Sequence, residues 1–369
     1  MSQKKSGLLQ INPNRNYGID LLRILAMYMV VTVHVLAYGG ILNPKNGSDA
    51  IFRTAWFLEI AVYGAVDIYA LISGFVGYKA KHRYASLAEL WLQVFLYSVS
   101  FTCINKLFVN RTIGMKKILF SFFPVTKGGL WYFTMYFALF FLTPVLNAAV
   151  EALPRKVFRN TLVASVFFFT VLPFLWAQDA FALVGGYSVM WLIVLYLIGA
   201  YIGKYRAFDR MKKPAALLGY VGCVAVVWGS KFCIRDFFPT FFGQANQTEW
   251  LVNYTSLPVV LSSVFLLIVF RDLKLPGLVK KVVGIAAPLS FGVYVIHFLP
   301  LFRQNVIRNR FTAYASYPPA VMALAVLGTA AAIYLVCSAL DFVRARLFDL
   351  LKVKERLIKA EDRLLGRFM

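Results

Sequence analysis

Cysteine and histidine are scarce in this 369-residue chain, with four of the first and three of the second. Cys103, Cys223, Cys233 and Cys337 form no CxxC pair and stand in or at the edge of apolar runs. The pattern offers neither a disulfide framework nor a zinc site. Acidic residues are also few, 16 against 39 basic ones, and charged residues of both signs make up 15% of the chain. No polar stretch is long enough for a soluble domain between the apolar runs. No internal repeat is visible, nor a matched pair of Gly/Pro-broken segments of the kind that marks inverted-repeat transporters. No nucleic-acid-binding motif accompanies the net charge of +23, so no nucleic-acid partner is expected.

What the chain has in abundance is apolar sequence. It is 60% hydrophobic, with a mean hydropathy of +0.69, the composition of a membrane protein. Ten apolar runs stand at about 17–38, 55–78, 86–108, 129–150, 157–177, 184–203, 214–233, 250–270, 281–302 and 319–341. They predict an all-α, polytopic bundle of about ten transmembrane helices. More than twice as many lysines and arginines fall on the side of the N-terminal tail as on the other. The positive-inside rule then puts both termini in the cytoplasm. The outer loop with Arg111, Lys116, Lys117 and Lys127 runs against that rule; it either meets an anionic acceptor or lipid headgroups, or is a plain exception. The first run holds an arginine and lacks a small-residue cleavage site, so it reads as a span and not a cleaved signal.

The expected organisation is a cytoplasmic tail over 1–16, a transmembrane domain over 17–341 and a basic amphipathic helix over 342–369. In the last, Leu350, Leu357 and Leu364 recur at seven-residue intervals. Such a helix lies on the inner leaflet among membrane lipids, or pairs with a second copy in a homo-oligomer. Pro144, Pro173 and Pro288 fall inside spans. Each frees a backbone carbonyl, which a membrane tolerates when a neighbour supplies a donor.

The first span, YGIDLLRILAMYMVVTVHVLAY, carries Arg23 and His34. Eleven steps of about 100° end roughly 20° past three full turns, so both side chains share one face, about 16 Å apart along the axis. An arginine at mid-membrane costs roughly 2.5–3.5 kcal/mol or more, and such residues serve a pathway, a pair or a ligand. With a rise of about 1.5 Å per residue, the remaining polar residues fall into two levels. His34, Glu59, Trp131, Tyr132 and His297 lie in the outer third. Arg23 and Ser73 lie inward, above Lys79, Lys81 and Arg83 at the cytoplasmic mouth, and Asp67 lies between the levels. The inner set is cationic and suits phosphate groups. The outer set joins a histidine able to accept a proton with a carboxylate able to orient it. The combination suggests transfer of a group from a phosphate-bearing cytosolic donor to a hydroxyl near the outer face. A secondary transporter or translocator of a lipid-linked sugar is the alternative from another class.

An arginine, ten residues and a histidine in the first span resemble the signature of the membrane acyltransferase-3 family. Three further segments are similar to that family's: GAVDIYALISGFVGY (Gly64 to Tyr78), LWYFTMYFALFFLTPVL (Leu130 to Leu146) and SFGVYVIH (Ser290 to His297). They occur in the family's order. The resemblance implies a multi-pass plasma-membrane enzyme that O-acylates an envelope glycan, glycolipid or similar acceptor from acyl-CoA, most often acetyl-CoA, as cosubstrate. No bound cofactor and no metal are expected. His34 would be the catalytic base and Glu59 its partner. Arg23, with Ser73, Lys79 and Arg83, would hold the donor by its phosphates or its pantetheine carbonyls. Asp67, Trp131, Tyr132, Tyr294 and His297 would line the acceptor cavity. Direct transfer and an acyl-enzyme intermediate both stay open.

Overall fold

Asn16 starts the first helix, α1 (Tyr17–Ala37), by accepting a hydrogen bond from the Ile19 amide at 3.1 Å, as an N-cap asparagine does. Its amide also donates to the Arg271 carbonyl at 2.8 Å, tying the start of α1 to the end of a distant helix. The computed structural model describes residues 12–43, 45–126, 129–173, 179–237 and 251–365. Their regular secondary structure is all helical, with no strand among the described residues. Most of the expected tail, together with Lys127 and the end of the 157–177 run, lies outside them.

The helices are α2 (Asp49–Tyr63), α3 (Ala65–Gly77), α4 (Tyr84–Ile104), α5 (Met115–Ser121), α6 (Trp131–Ala152) and α7 (Arg155–Val166), then α8 (Val189–Tyr205), α9 (Lys213–Phe237), α10 (Leu257–Arg271), α11 (Gly277–Ala286), α12 (Ser290–Phe298), α13 (Pro319–Leu350) and α14 (Val353–Leu365). Among the described residues, seven continuous helical stretches are long and apolar enough to cross a membrane, α2–α3 and α11–α12 each counting as one. α8 and α10 are apolar but shorter. The run expected at 157–177 corresponds to α7 and the π-helical turn Phe167–Val171 that follows it.

α1 is the hub. It packs against α2, α3, α10, α11, α12 and α13, and Leu22, Ala26, Val31, Val35 and Leu36 are fully buried. α3 crosses α8 at backbone contact. A Cβ on Gly74 would overlap the Tyr196 carbonyl, and one on Gly199 would overlap the Leu71 carbonyl. Small residues here let two helices approach without any hydrophobic drive from lipid.

Where the ladder of helical bonds is interrupted, a neighbour repairs it. At Gly64, between α2 and α3, the carbonyl keeps its helical bond from the Ile68 amide and takes a second from the Ser263 hydroxyl, both at 3.0 Å, a tie to α10 and not a repair. Pro144 deprives the Phe140 carbonyl of its partner, and the Thr143 hydroxyl donates to it at 2.7 Å. Pro288 does the same to Gly284, whose carbonyl accepts from Arg15 at 3.2 Å.

α13 runs unbroken past Asp341, and the chain turns at Lys352, where φ is +51°. α14 then folds back on α4. Glu361 accepts the otherwise unpaired amides of Tyr84 and Ala85 at 3.0 and 3.2 Å, which caps α4 and favours the carboxylate at the positive end of the helix. The tail helix α14 thus has a partner within its own chain, while Leu350 and Leu364 of the tail's apolar stripe remain exposed.

Candidate active site

Met27, Val30, His34 and Ala37 follow one another along α1 at helical spacing, and all line a cavity of about 370 Å³. This is the face fixed by Arg23 and His34, with Arg23 one step beyond Met27. Glu59 and Trp56 reach the cavity from α2, Tyr69 from α3, Trp131 and Tyr132 from α6, and Phe291, Tyr294 and Phe298 from α12. The walls are aromatic. Trp131 lies against Tyr187 with ring centroids 4.3 Å apart, and Tyr63 stacks on Tyr254 at 4.6 Å. Such walls combine apolar faces with hydroxyl and indole tips, and suit a ligand that is itself part apolar and part polar.

His34 Nδ1 stands 2.8 Å from Nε2 of His297, which is fully buried behind it. His297 Nδ1 stands 2.5 Å from the Val293 carbonyl, one turn back along α12. A carbonyl only accepts, so His297 Nδ1 carries the hydrogen. With both rings neutral, His297 Nε2 accepts from His34 Nδ1, and His34 is left with a bare Nε2. One backbone carbonyl thereby sets the tautomer of two rings. The His34 ring is further held between Phe298 and Tyr38, at 4.9 and 5.2 Å.

Of the outer set read from the sequence, His34, Glu59, Trp131 and Tyr132 line one cavity and His297 buttresses its wall; Tyr294, which the resemblance implied, lines the same cavity. Glu59 shares the cavity with His34, but the partner found at His34 Nδ1 is a second histidine. Asp67 is fully buried and accepts from the Trp191 indole at 3.2 Å, on the α8 side and away from the lining.

The inner set has four separate environments. Arg23 pairs with Asp20 at 2.7 Å, and Asp20 also binds Arg15. Tyr69, a cavity residue, donates to the Arg23 carbonyl at 2.7 Å, so Arg23 begins where the cavity floor ends. Ser73 donates to Tyr69 of its own helix at 2.8 Å. Lys79 is exposed beside Tyr78. Arg83 is engaged by Asp362 of α14 at 3.1 Å, with Glu361 at 3.9 Å. Nearby, His82 contacts the Thr143 hydroxyl at 3.1 Å and packs on Phe140 and Tyr84; burial holds its pKa below the ordinary histidine value, and Glu361 partly offsets this.

Three further residues escaped the sequence reading. Tyr69 looks like packing until its hydroxyl is seen to join cavity and arginine. Arg303 counts as a loop charge until it is found against two cavity rings. Lys231, in α9, is buried with its ammonium 3.6 Å from the centre of the Trp56 ring. Its signal was present, a lysine inside the apolar run 214–233, where charge is expensive and usually has a purpose.

Among the described residues no three His, Cys, Asp or Glu side chains gather into a metal site. Neither a curated protein nor a solved structure matches this chain. A family model described as an acyltransferase domain matches residues 16–337, a span that runs from the cap of α1 to the buried Cys337 and contains the histidine pair, the cavity and Arg23. A multi-pass helical membrane protein with these segments in this order belongs to the acyltransferase-3 family.

Proposed function

We propose that this membrane acyltransferase moves an acyl group, acetyl in the simplest case, from cytosolic acyl-CoA to a hydroxyl of an envelope glycan, glycolipid or similar acceptor at the plasma membrane. The observation that carries this reading is the His34–His297 pair on the wall of an aromatic cavity. A base on an acceptor hydroxyl needs a lone pair facing the ligand and a fixed tautomer, and the bond that His34 donates to His297 supplies the second condition. His34 takes the hydroxyl proton as the oxygen attacks the thioester carbonyl. The thiol of CoA leaves as the acyl–oxygen bond forms. Arg23 holds the donor near the cavity floor, sharing its guanidinium with Asp20, while Lys79 and Arg83 meet the donor's charged end; Ser73 adds a polar contact on that route. Glu59 supports the charge that develops on His34.

Mass spectrometry of envelope glycans from cells with and without the protein tests the whole reading. An ester mass that depends on the protein identifies acyl group and acceptor together, and identical ester profiles would end the proposal.

Two variants test the parts. His297→Phe keeps the ring but removes the acceptor that sets the His34 tautomer. We expect kcat to fall by up to about 10²-fold with acceptor KM little changed, and His297→Gln, whose carbonyl can take the same bond, to recover part of the loss. Equal kcat in all three proteins would make the pair a packing contact. For Arg23→Ala, the KM for acetyl-CoA should rise about 10-fold or more, the scale of a lost charge-assisted hydrogen bond. An unchanged donor KM would remove Arg23 from the donor site.

A further inference from the structure

Beside the far end of α1 stands a cation that none of the chemistry above uses. Arg303 follows α12, at the start of the π-helical turn Arg303–Ile307. Its guanidinium lies 4.6 Å from the centre of the Phe298 ring and 5.4 Å from that of Tyr38. Both rings line the cavity, and both touch His34. Among the described residues no carboxylate pairs with Arg303. Arg15, Arg23, Arg53, Arg83, Arg206, Arg235, Arg271 and Arg344 have acidic partners, and the other described arginines without one are exposed, whereas Arg303 is half-buried.

Arg303 is also held in place. The loop that follows it is stitched to the end of α1 by two backbone bonds, Asn309 to the Tyr38 carbonyl at 2.8 Å and Phe311 to the Gly39 carbonyl at 3.2 Å. The stitch needs a tight turn: Gly40 has φ of +88° and Asn309 has φ of +55°. The guanidinium therefore has a fixed position relative to the base on the same helix end. Arg308 and Arg310 on this loop are exposed and add the same sign of charge. Asp49 and Asp236, at the start of α2 and the end of α9, are taken up by Arg53 and Arg235.

We infer that Arg303 is a specificity residue for an anionic acceptor: the hydroxyl presented to His34 belongs to a sugar bearing a carboxylate or phosphate group on the same or the adjoining ring. The inference rests on the acyl-transfer reading. Two ring contacts separate guanidinium from imidazole, about the reach of one sugar unit. A planar fork of donors stacked on aromatic faces suits a carboxylate or phosphate better than a neutral hydroxyl does. A free cation at a rim also draws anionic acceptors to the mouth.

The test uses the purified full-length protein, acetyl-CoA and three acceptors on one ring: methyl glucoside, methyl glucuronide and methyl glucoside 6-phosphate. The wild type should favour at least one anionic glycoside over the neutral one by about 10-fold or more in kcat/KM. The preference should shrink as salt rises. Arg303→Gln should bring the ratio near one, and Arg303→Lys, a point charge without the fork, should fall between. Whichever anion is favoured separates uronate from phosphate recognition. A wild type indifferent to acceptor charge, or a preference that survives Arg303→Gln, overturns the inference while leaving acyl transfer standing. A wild type that transfers to none of the three counts against the transfer reading. Binding then decides the charge question, read from quenching of Trp56 and Trp131, which line the cavity. An anion-selective quench lost in Arg303→Gln upholds it, and no such quench overturns it.

Discussion

His34→Ala should abolish acyl transfer to within assay limits, a loss of about 10²–10⁴-fold for a general base in its working position. The reason is geometric. Any replacement base would have to reach the same hydroxyl with its lone pair bare. His297, the nearest titratable ring, spends Nδ1 on the Val293 carbonyl and is fully buried behind the wall. The fold should survive, because His34 faces the cavity and is not among the core residues of α1. Labelled acetyl-CoA, an acceptor extract and the protein in liposomes give the measurement. The KM for acetyl-CoA should stay near the wild-type value, because the proposal puts the donor at Arg23 and not at His34. Added imidazole should restore part of the rate, since the truncation leaves room against the Tyr38 and Phe298 rings. Wild-type turnover in the alanine variant would remove the assignment of the base. Loss without rescue in a destabilised protein would point instead to packing, so His34→Gln, closer in volume, is the companion variant.

Much of this was readable before any coordinates, and what was readable had a period. The cavity face of α1 follows from 3.6 residues per turn, because Arg23 and His34 fix one side and Met27 and Val30 fall on it. The need for a donor at Pro144 and at Pro288 follows from a missing amide, and Thr143 and Arg15 supply it. The common level of His34 and His297 follows from counting residues up two spans. Their contact does not, because depth gives height without direction around the bundle.

Pairings between distant segments were beyond reach for the same reason. Nothing local says that Glu361 caps α4 or that Arg303 meets Tyr38. The number of spans was blurred where apolar runs are short or interrupted. α8 and α10 are shorter than a full crossing, and the 157–177 run passes through a π-helical turn. Hydropathy sees such a run as one block, whereas the backbone divides it.

The largest expected loss of stability lies outside the cavity, at Asp341. This carboxylate is fully buried and takes four hydrogen bonds: from Gln93 at 2.9 Å, from the Tyr97 hydroxyl at 2.9 Å, and from Arg344 at 3.0 and 2.8 Å. Two of these donors belong to α4 and the others to α13, while Gly292 of α12 lies so close that a Cβ there would overlap the carboxylate. One side chain thus fastens three helices, including the one that carries His297. Asp341→Ala leaves a guanidinium only 10% exposed without its counter-ion, and strands an amide and a phenol. Breaking a buried pair from one side costs about 3–5 kcal/mol, a large fraction of the roughly 5–15 kcal/mol that holds a typical protein folded. The variant should accumulate poorly and unfold at markedly lower temperature in detergent. Asp341→Ala combined with Arg344→Ala should recover part of the loss, because no buried charge is then left alone. If the double variant is as unstable as the two single losses added together, the charge pair is not the source, and the packing of Gly292 against the carboxylate carries the stability instead. Asp341→Asn, which keeps the shape against Gly292 and removes the charge, separates the two causes. A melting temperature near that of the wild type would assign the loss to contact between α12 and α13, and a fall similar to that of Asp341→Ala would return it to the ion pair.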